Sequence, residues 1–158
     1  MARHLYRCPL RWADMDMYGI INNVAYLRYL EEARRDLMAP LAIVDDENPL
    51  FRGDPVVISH TIDYKRPLVY RPRPVDVETW VSQIQTAMVT IDYQVMDGDK
   101  LCATASTVIA PFNHDAGRAR RLTADERALL EKYLEVSVQP EATAARSGSG
   151  SGSGAVRK

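Results

Sequence analysis

Four polar side chains that could do chemistry lie in one short segment near the N-terminus: Asp14, Asp16, Asn22 and Asn23. They stand between a predicted strand and the first turn of a predicted helix. The first N–H groups of a helix have no internal acceptor and carry partial positive charge, so they can bind an anion or a developing oxyanion. A carboxylate a few residues earlier can reach the same small volume. Such a pairing of amides with a base or nucleophile is what acyl transfer to water requires.

Two other uses of these residues stay open at this point. An Asp-x-Asp pair ahead of a helix commonly serves turn and capping chemistry alone. The same pair occurs in metal-dependent phosphoryl or glycosyl transfer, which needs further carboxylates to hold Mg²⁺. The run Asp45-Asp46-Glu47 is the remaining acidic cluster and has the composition of a loop. We therefore predict no metal and no other cofactor.

A long helix is predicted directly after the polar segment. Asn22 is a good N-cap, and NVAYLRYLEEARRDLM contains neither Gly nor Pro. Apolar residues three and four positions apart form one stripe, namely Tyr26, Leu30, Ala33 and Leu37. Pro40 and the sequence DDENPLFRGDP end this helix in a loop.

Five strands are predicted from alternating apolar residues. The first runs from Tyr6 to near Asp14, with Trp12 on its apolar face. The others cover about 56–65, 75–81, 89–95 and 100–110, and a turn at Asp97-Gly98-Asp99 makes the last two a hairpin. His60 lies on the apolar face of its strand, which is more typical of a core histidine than of a base.

The C-terminal part contains a second predicted helix and a tail. The helix begins at a Thr123-x-x-Glu126 capping box and extends to about Val136. Four Ser-Gly repeats and almost no apolar residues follow, so residues 1–136 should form one domain and 137–158 a flexible tail. Cys8 and Cys102 lie among strand residues without C-x-x-C spacing, so both are predicted to be reduced and buried.

The order of these elements predicts an α+β fold in which one sheet packs against the long helix. A single helix covers a sheet of five strands poorly. We therefore expect the uncovered face and the sheet edge to pack against a second copy of the chain, most simply in a two-fold dimer.

Charge and hydropathy exclude two classes of partner. Twenty Lys and Arg against 21 Asp and Glu give a net charge of −1, whereas duplex-binding proteins present a basic surface. No apolar run approaches the roughly 20 residues of a membrane helix, and the N-terminus lacks the apolar segment of a signal peptide. We expect a cytoplasmic protein that binds neither nucleic acid nor a membrane.

The segment RWADMDMYGIINNVAYLRYLEEAR resembles the signature of hotdog-fold acyl-CoA thioesterases of the 4-hydroxybenzoyl-CoA thioesterase type. That signature has an aromatic strand, D-x-D-x-x-G, a helix Tyr and Glu-x-Ala-Arg. IDYKRPL is similar to the Y-x-R-P segment of the same group, and the resemblance covers about Leu5 to Phe112. It implies an antiparallel sheet of about five strands wrapped around one long helix. It also implies two subunits that pair through the sheet, as a dimer or as a tetramer of dimers.

The resemblance also assigns roles to residues. Asp16 matches the catalytic carboxylate, acting as nucleophile or as general base, and Gly19 matches the glycine of the tight turn beside it. Asn23 matches the position whose backbone N–H points at the thioester oxygen, with Val24 as its neighbour. The remaining matches are structural or support the site, and they are Asp14, Asn22, Tyr26, Glu31 and Arg34.

The resemblance implies hydrolysis of the thioester of an acyl-CoA or acyl carrier protein, without a cofactor. Lys65 and Arg66 belong to a set of basic residues that could meet the phosphates of coenzyme A, and a solvated surface is the alternative. A non-catalytic acyl-CoA binding module is the competing function. A hotdog dehydratase or hydratase would need a His and a carboxylate in a differently spaced motif, which the sequence lacks.

Deleting Gln139 to Lys158 should change the melting temperature by less than about 2 °C and leave activity unchanged, because this segment has almost nothing to bury. Thermal unfolding of the full-length and shortened chains tests this. A loss of several degrees would mean that the segment docks on the domain.

Overall fold

The computed structural model describes residues 3–41 and 55–135. Its helices are α1 Asn23–Met38 and α2 Ala124–Glu131. The main strands are β1 His4–Cys8, β2 Val56–Tyr64, β3 Val75–Ile84, β4 Val89–Asp97 and β5 Lys100–Ala110. A small hairpin consists of β6 Phe112–Asn113 and β7 Arg118–Ala119. The predicted tail and the acidic loop run lie outside the described residues. No helix in the two described ranges is long and apolar enough to cross a membrane.

The main sheet has five strands in the order β1-β3-β4-β5-β2, and all of its neighbouring pairs are antiparallel. α1 packs against β1 and β3, with its apolar stripe in the core. The predicted α+β architecture, one long helix on an antiparallel sheet of five strands, is confirmed. It is the hotdog arrangement that the sequence resemblance implies.

The bounds of α1 follow from its cap and its stripe. The side-chain oxygen of Asn22 accepts the Val24 N–H at 2.9 Å, as the predicted N-cap requires. Tyr29, Leu30 and Leu37 are each 1% exposed. Burying an apolar side chain of this size stabilises the fold by about 1.5–3 kcal/mol. Packing of the stripe therefore contributes more than any intrinsic conformational preference of the segment.

The hairpin between β4 and β5 forms where it was predicted. Asp97 pairs with Lys100 across the two-residue turn, and Gly98 has φ +63°, a conformation that glycine adopts without strain. The buried Asp97 carboxylate forms ion pairs with Arg71 and Arg73. These two arginines therefore anchor the turn.

The largest departures from the predicted bounds are in β1 and α2. β1 ends at Cys8, and Trp12 lies in a 3₁₀ turn with 71% of its surface exposed. α2 begins at the predicted capping box but ends at Glu131. Beyond it the chain pairs with β3, where the Val81 N–H donates to the Tyr133 carbonyl at 2.9 Å. Pairing with a distant strand thus overrides the local helical pattern.

β2 is much more exposed than its alternating sequence predicts. It is the edge strand of the sheet, and Ile58 and Tyr64 are 56% and 48% exposed. His60 is also exposed, so its predicted place in the core is wrong for the single chain. The helix does not extend over this edge, which leaves an apolar strand uncovered.

Cys8 and Cys102 are free and buried, as predicted. Burial raises the pKa of Cys8 to about 12 and also raises the pKa of Cys102. Both thiols are therefore protonated near neutral pH.

Candidate functional site

The segment from Asp14 to Asn22 forms a small hairpin ahead of α1. The Asp16 N–H donates to the Ile20 carbonyl at 2.9 Å, and the Asn22 N–H donates to the Asp14 carbonyl at 2.8 Å. Met15 and Ile21 form an antiparallel bridge between these bonds. The hairpin thereby brings both predicted carboxylates to the start of the helix.

The turn of this hairpin holds Asp16. Its Oδ1 atom accepts the Tyr18 N–H at 2.8 Å, and its carbonyl accepts the Gly19 N–H at 3.1 Å. Gly19 has φ +75°, and a Cβ there would meet nothing within 4 Å. The backbone conformation, and not lack of space, therefore favours glycine at this position.

Only one of the two amides predicted to polarise a carbonyl is available at the start of α1. The Val24 N–H is already bonded to the side chain of Asn22. The Asn23 N–H has no acceptor in the described part of the chain. As the first amide of a 16-residue helix, it is a donor with partial positive charge.

Asp14 is tied to the body of α1. Its Oδ2 atom accepts the Tyr29 hydroxyl at 2.7 Å. Burial, and then this hydrogen bond to Asp14, raise the pKa of Tyr29, so the hydroxyl remains a donor at neutral pH. The contact suits a residue that holds the hairpin against the helix.

The end of β2 docks on the start of α1. The Tyr64 hydroxyl donates to the Asn23 carbonyl at 3.0 Å, and its ring meets the buried Tyr26 ring edge-on at 5.1 Å. The Ile21 N–H donates to the Leu68 carbonyl at 2.7 Å. The two segments of the family resemblance are therefore in direct contact, although they are far apart in the chain.

Lys65 and Arg66 follow Tyr64 at this junction. Their N–H groups both donate to the Cys102 carbonyl, at 2.8 and 3.1 Å, which fixes the backbone. Their side chains are exposed. Two exposed cations thus stand beside the helix start.

A cavity of about 690 Å³ lies between α1 and β2. Its size is that of a small-molecule site. Five of the predicted residues line it, namely Asp14, Asn22, Val24, Glu31 and Arg34. Asp16, Gly19, Asn23, Lys65 and Arg66 are outside its lining, and Tyr26 lies in the core.

His60 and Tyr93 also belong to this region, although the sequence pattern favoured a core position for His60 and did not single out Tyr93. His60 lines the cavity, and its Nδ1 atom is 2.9 Å from the Thr107 hydroxyl. Arg34 is 7% exposed and donates to the Tyr93 hydroxyl at 3.2 Å. The first contact joins β2 to β5 and the second joins α1 to β4, so no local pattern could have predicted them. Within the described ranges, no group of three His, Cys, Asp or Glu side chains could hold a metal ion.

The sequence pattern that defines the thioesterase-like superfamily matches residues 10–144. This chain belongs to the thioesterase-like superfamily. The match contains the hairpin, α1 and all the strands from β2 to β5. The resemblance drawn from the D-x-D-x-x-G and Y-x-R-P segments is thus confirmed at the level of the superfamily.

Relatives of known structure share the fold of this superfamily member. The PA2801 protein of Pseudomonas aeruginosa, described as a candidate thioesterase, is 28% identical, with a TM-score of 0.71 over 81% of this chain and 98% of that one. The DHNA-CoA thioesterase of Staphylococcus aureus is 24% identical, with a TM-score of 0.72 over 84% of this chain and 91% of that one. The uncharacterized protein YsmA of Bacillus subtilis is 27% identical over 127 residues, which is 78% of this chain and 82% of that protein.

Replacing Tyr29 by Phe removes the hydroxyl donated to Asp14 and keeps the ring. We expect the free energy of unfolding in urea to fall by about 1.5–3 kcal/mol, the usual contribution of a hydrogen bond to a charged group. Tyr26→Phe is the matched control, because this tyrosine is buried in the same helix and none of the described hydrogen bonds uses its hydroxyl. Tyr26→Phe should lower the free energy of unfolding by less than about 0.5 kcal/mol. Equal losses would mean that the bond to Asp14 does not stabilise the hairpin.

Proposed function

We propose that this chain hydrolyses the thioester of an acyl-CoA or acyl carrier protein to a free acid and a thiol. One observation carries the proposal: the hairpin holds the Asp16 carboxylate just ahead of a helix whose first amide, at Asn23, lacks an acceptor among the described residues. Membership of the thioesterase-like superfamily supports the same reaction.

The reaction needs only groups that this site contains. With Asp16 as general base, a water oxygen attacks the carbonyl carbon while the carboxylate takes the water proton. The C–S bond then breaks, and the proton passes to the departing thiolate. With Asp16 as nucleophile, its oxygen attacks the carbonyl carbon, the C–S bond breaks and the thiolate leaves a mixed anhydride. Water then opens the anhydride, which releases the acid, restores the Asp16 carboxylate and supplies the proton for the thiolate. A thiol with a pKa of about 8.5 leaves readily, so no strong acid is needed at the sulfur.

The Asn23 amide supplies the electrophilic part of the mechanism. Negative charge develops on the carbonyl oxygen during attack, and a preorganised N–H donor at a helix start stabilises that charge. Removing one such donor elsewhere typically costs a factor of about 10²–10³ in kcat. Asn22 contributes indirectly, because its side chain occupies the Val24 amide and fixes the first turn.

Substrate recognition involves the junction between β2 and α1. Lys65 and Arg66 are exposed beside the helix start and are placed to meet the phosphates of coenzyme A. Arg71 and Arg73 are less suited to this role, since both are paired with Asp97.

We further propose that two copies of the chain close the site. Met17 and Tyr18, at the tip of the hairpin, are 89% and 80% exposed, and β2 presents an unpaired apolar edge. Large exposed apolar groups next to a free sheet edge favour pairing with a second chain. The two features flank the cavity, so a partner at this edge would complete its walls.

Replacing Asp16 by Asn should lower kcat by a factor of about 10²–10⁴, because the change keeps the shape and removes the charge of the base or nucleophile. Substrate binding should survive, since the Asn23 amide and the cavity are unchanged. Steady-state kinetics over aromatic, short and long acyl-CoAs provide the measurement.

Asp14→Asn is the matched control for this variant. It removes a carboxylate from the same hairpin, but its main effect should be on stability, through the bond to Tyr29. Undiminished turnover in Asp16→Asn would remove this residue from the mechanism. An acyl-CoA binding module would show no turnover in any of the three proteins and similar affinity in all.

Light scattering at micromolar concentration should give at least twice the 17.8 kDa mass of the chain. The uncovered β2 edge and the open cavity are the physical reasons. Replacing Ile58 by Lys on β2 should shift the mass toward that of the single chain, because a charge on the edge opposes pairing. A monodisperse, active monomer would contradict a site shared between subunits.

A further inference from the structure

The far end of the cavity contains a buried cation without a counter-ion. Arg34 is 7% exposed and lines the cavity. None of the ion pairs in the described part of the chain includes it. Its hydrogen-bond partner is the neutral hydroxyl of Tyr93. Buried charges are ordinarily paired, because removing an isolated charge from water costs several kcal/mol.

A chain of hydrogen bonds orients the donors at this end. The Arg34 guanidinium can only donate, so the Tyr93 oxygen accepts from it, and the Thr107 hydroxyl is a second hydrogen-bond partner of Tyr93. Thr107 in turn lies 2.9 Å from Nδ1 of His60 and can donate to it. In the tautomer that accepts the Thr107 hydroxyl at Nδ1, the His60 proton is on Nε2, the ring nitrogen that the sheet does not hold.

The pKa of His60 is consistent with this tautomer, which requires a neutral ring. Desolvation, and then the nearby charge of Arg34, lower its pKa, while Glu31 opposes them. The ring is therefore neutral at pH 7 and keeps one N–H donor. Together with the remaining N–H groups of Arg34, the far end of the cavity presents donors, which suit a ligand that brings acceptors and negative charge.

The wall between the helix start and these donors contains both apolar and charged side chains. Val24, Ala25, Leu27 and Val57 contribute to it, with Arg28 and Glu31 exposed at the rim. Eleven residues separate Asn23 from Arg34, which corresponds to about 16 Å along the helix axis. The Arg34 side chain leans back toward the helix start, as helical side chains do, and shortens that span. An apolar segment of medium length fits between the two ends.

We infer that the cavity selects acyl groups that end in a carboxylate, with Arg34 and His60 donating hydrogen bonds to that distal group. The inference rests on the proposed thioester hydrolysis and adds its substrate class, the monothioesters of dicarboxylic acids. The carboxylate supplies the charge that the buried guanidinium lacks. A planar guanidinium also matches a carboxylate in two-pronged geometry.

The test compares suberoyl-CoA with octanoyl-CoA, which have the same chain length and differ in the distal carboxylate. In the wild-type protein kcat/KM should be higher for suberoyl-CoA. In Arg34→Gln the ratio of the two values should fall by about 10- to 100-fold, the range expected for a charged hydrogen bond. Because the ratio is taken within one preparation, loss of folded or active protein does not affect it.

Matched variants identify the groups responsible. Arg28→Gln removes the same charge from the exposed rim and should change the ratio by less than about threefold, since exposed charges are screened. His60→Gln keeps a donor near the position of Nε2 and should preserve most of the ratio, whereas His60→Asn should lower it.

An equal fall in the Arg28 and Arg34 variants, or a wild-type ratio near one, would overturn the inference. A ratio near one is the expected result if a second copy of the chain pairs with Arg34 instead.

The same experiment distinguishes failure of the carboxylate site from failure of the proposed thioester hydrolysis. Hydrolysis of octanoyl-CoA without preference for suberoyl-CoA would leave the thioesterase proposal intact and reject the carboxylate site. If neither these two compounds nor the aromatic, short and long acyl-CoAs are turned over, the proposal of acyl-CoA hydrolysis fails. Calorimetric affinities of the two compounds for the wild-type and Arg34→Gln proteins then decide the selectivity. Tighter binding of suberoyl-CoA that is lost in the variant supports it, and equal binding refutes it.

Discussion

The architecture depends on one constraint, which is that a single helix has to cover a sheet wider than itself. Strands lie about 4.8 Å apart, so five of them span about 20 Å, whereas a helix with its side chains is about 10–12 Å across. α1 therefore buries its stripe over part of the sheet and leaves β2 open. The cavity exists because of this difference in width. Its walls are the flank of the helix and the edge strand, and its ends are the hairpin and the cluster around Arg34.

Much of the fold could be predicted because it is encoded over short distances. The Asn22 cap, the helix stripe, the turn at Gly98 and the Thr123 capping box all depend on residues within a few positions. Exposure could not be predicted in the same way. The alternation in β2 is that of a half-buried strand, but coverage is decided by where α1 ends in space. Trp12 likewise follows the strand pattern and lies instead in an exposed 3₁₀ turn.

The candidate site likewise combines features that could be predicted from the sequence with features that could not. The carboxylates, the glycine and the helix start could be recognised in one continuous segment, and Gly19 has the positive φ that such a turn requires. The use of the Val24 amide by Asn22 could be predicted as well, because an N-cap side chain accepts an N–H of the first turn. The contacts of Arg34 with Tyr93 and of His60 with Thr107 span 59 and 47 positions in the chain. Only the assembled sheet brings these groups together.

The placement of the two cysteines has a consequence for an enzyme whose product is a thiol. Once a released thiol has been oxidised to its disulfide, a reactive, ionised cysteine can attack that disulfide, expel one thiol and form a mixed disulfide on the protein. With a pKa of about 12, Cys8 is ionised in only about one molecule in 10⁵ at pH 7. Cys102 is buried as well, and burial raises its pKa in the same direction. On the proposed reaction, neither cysteine is therefore a ready target for the disulfide form of the released thiol.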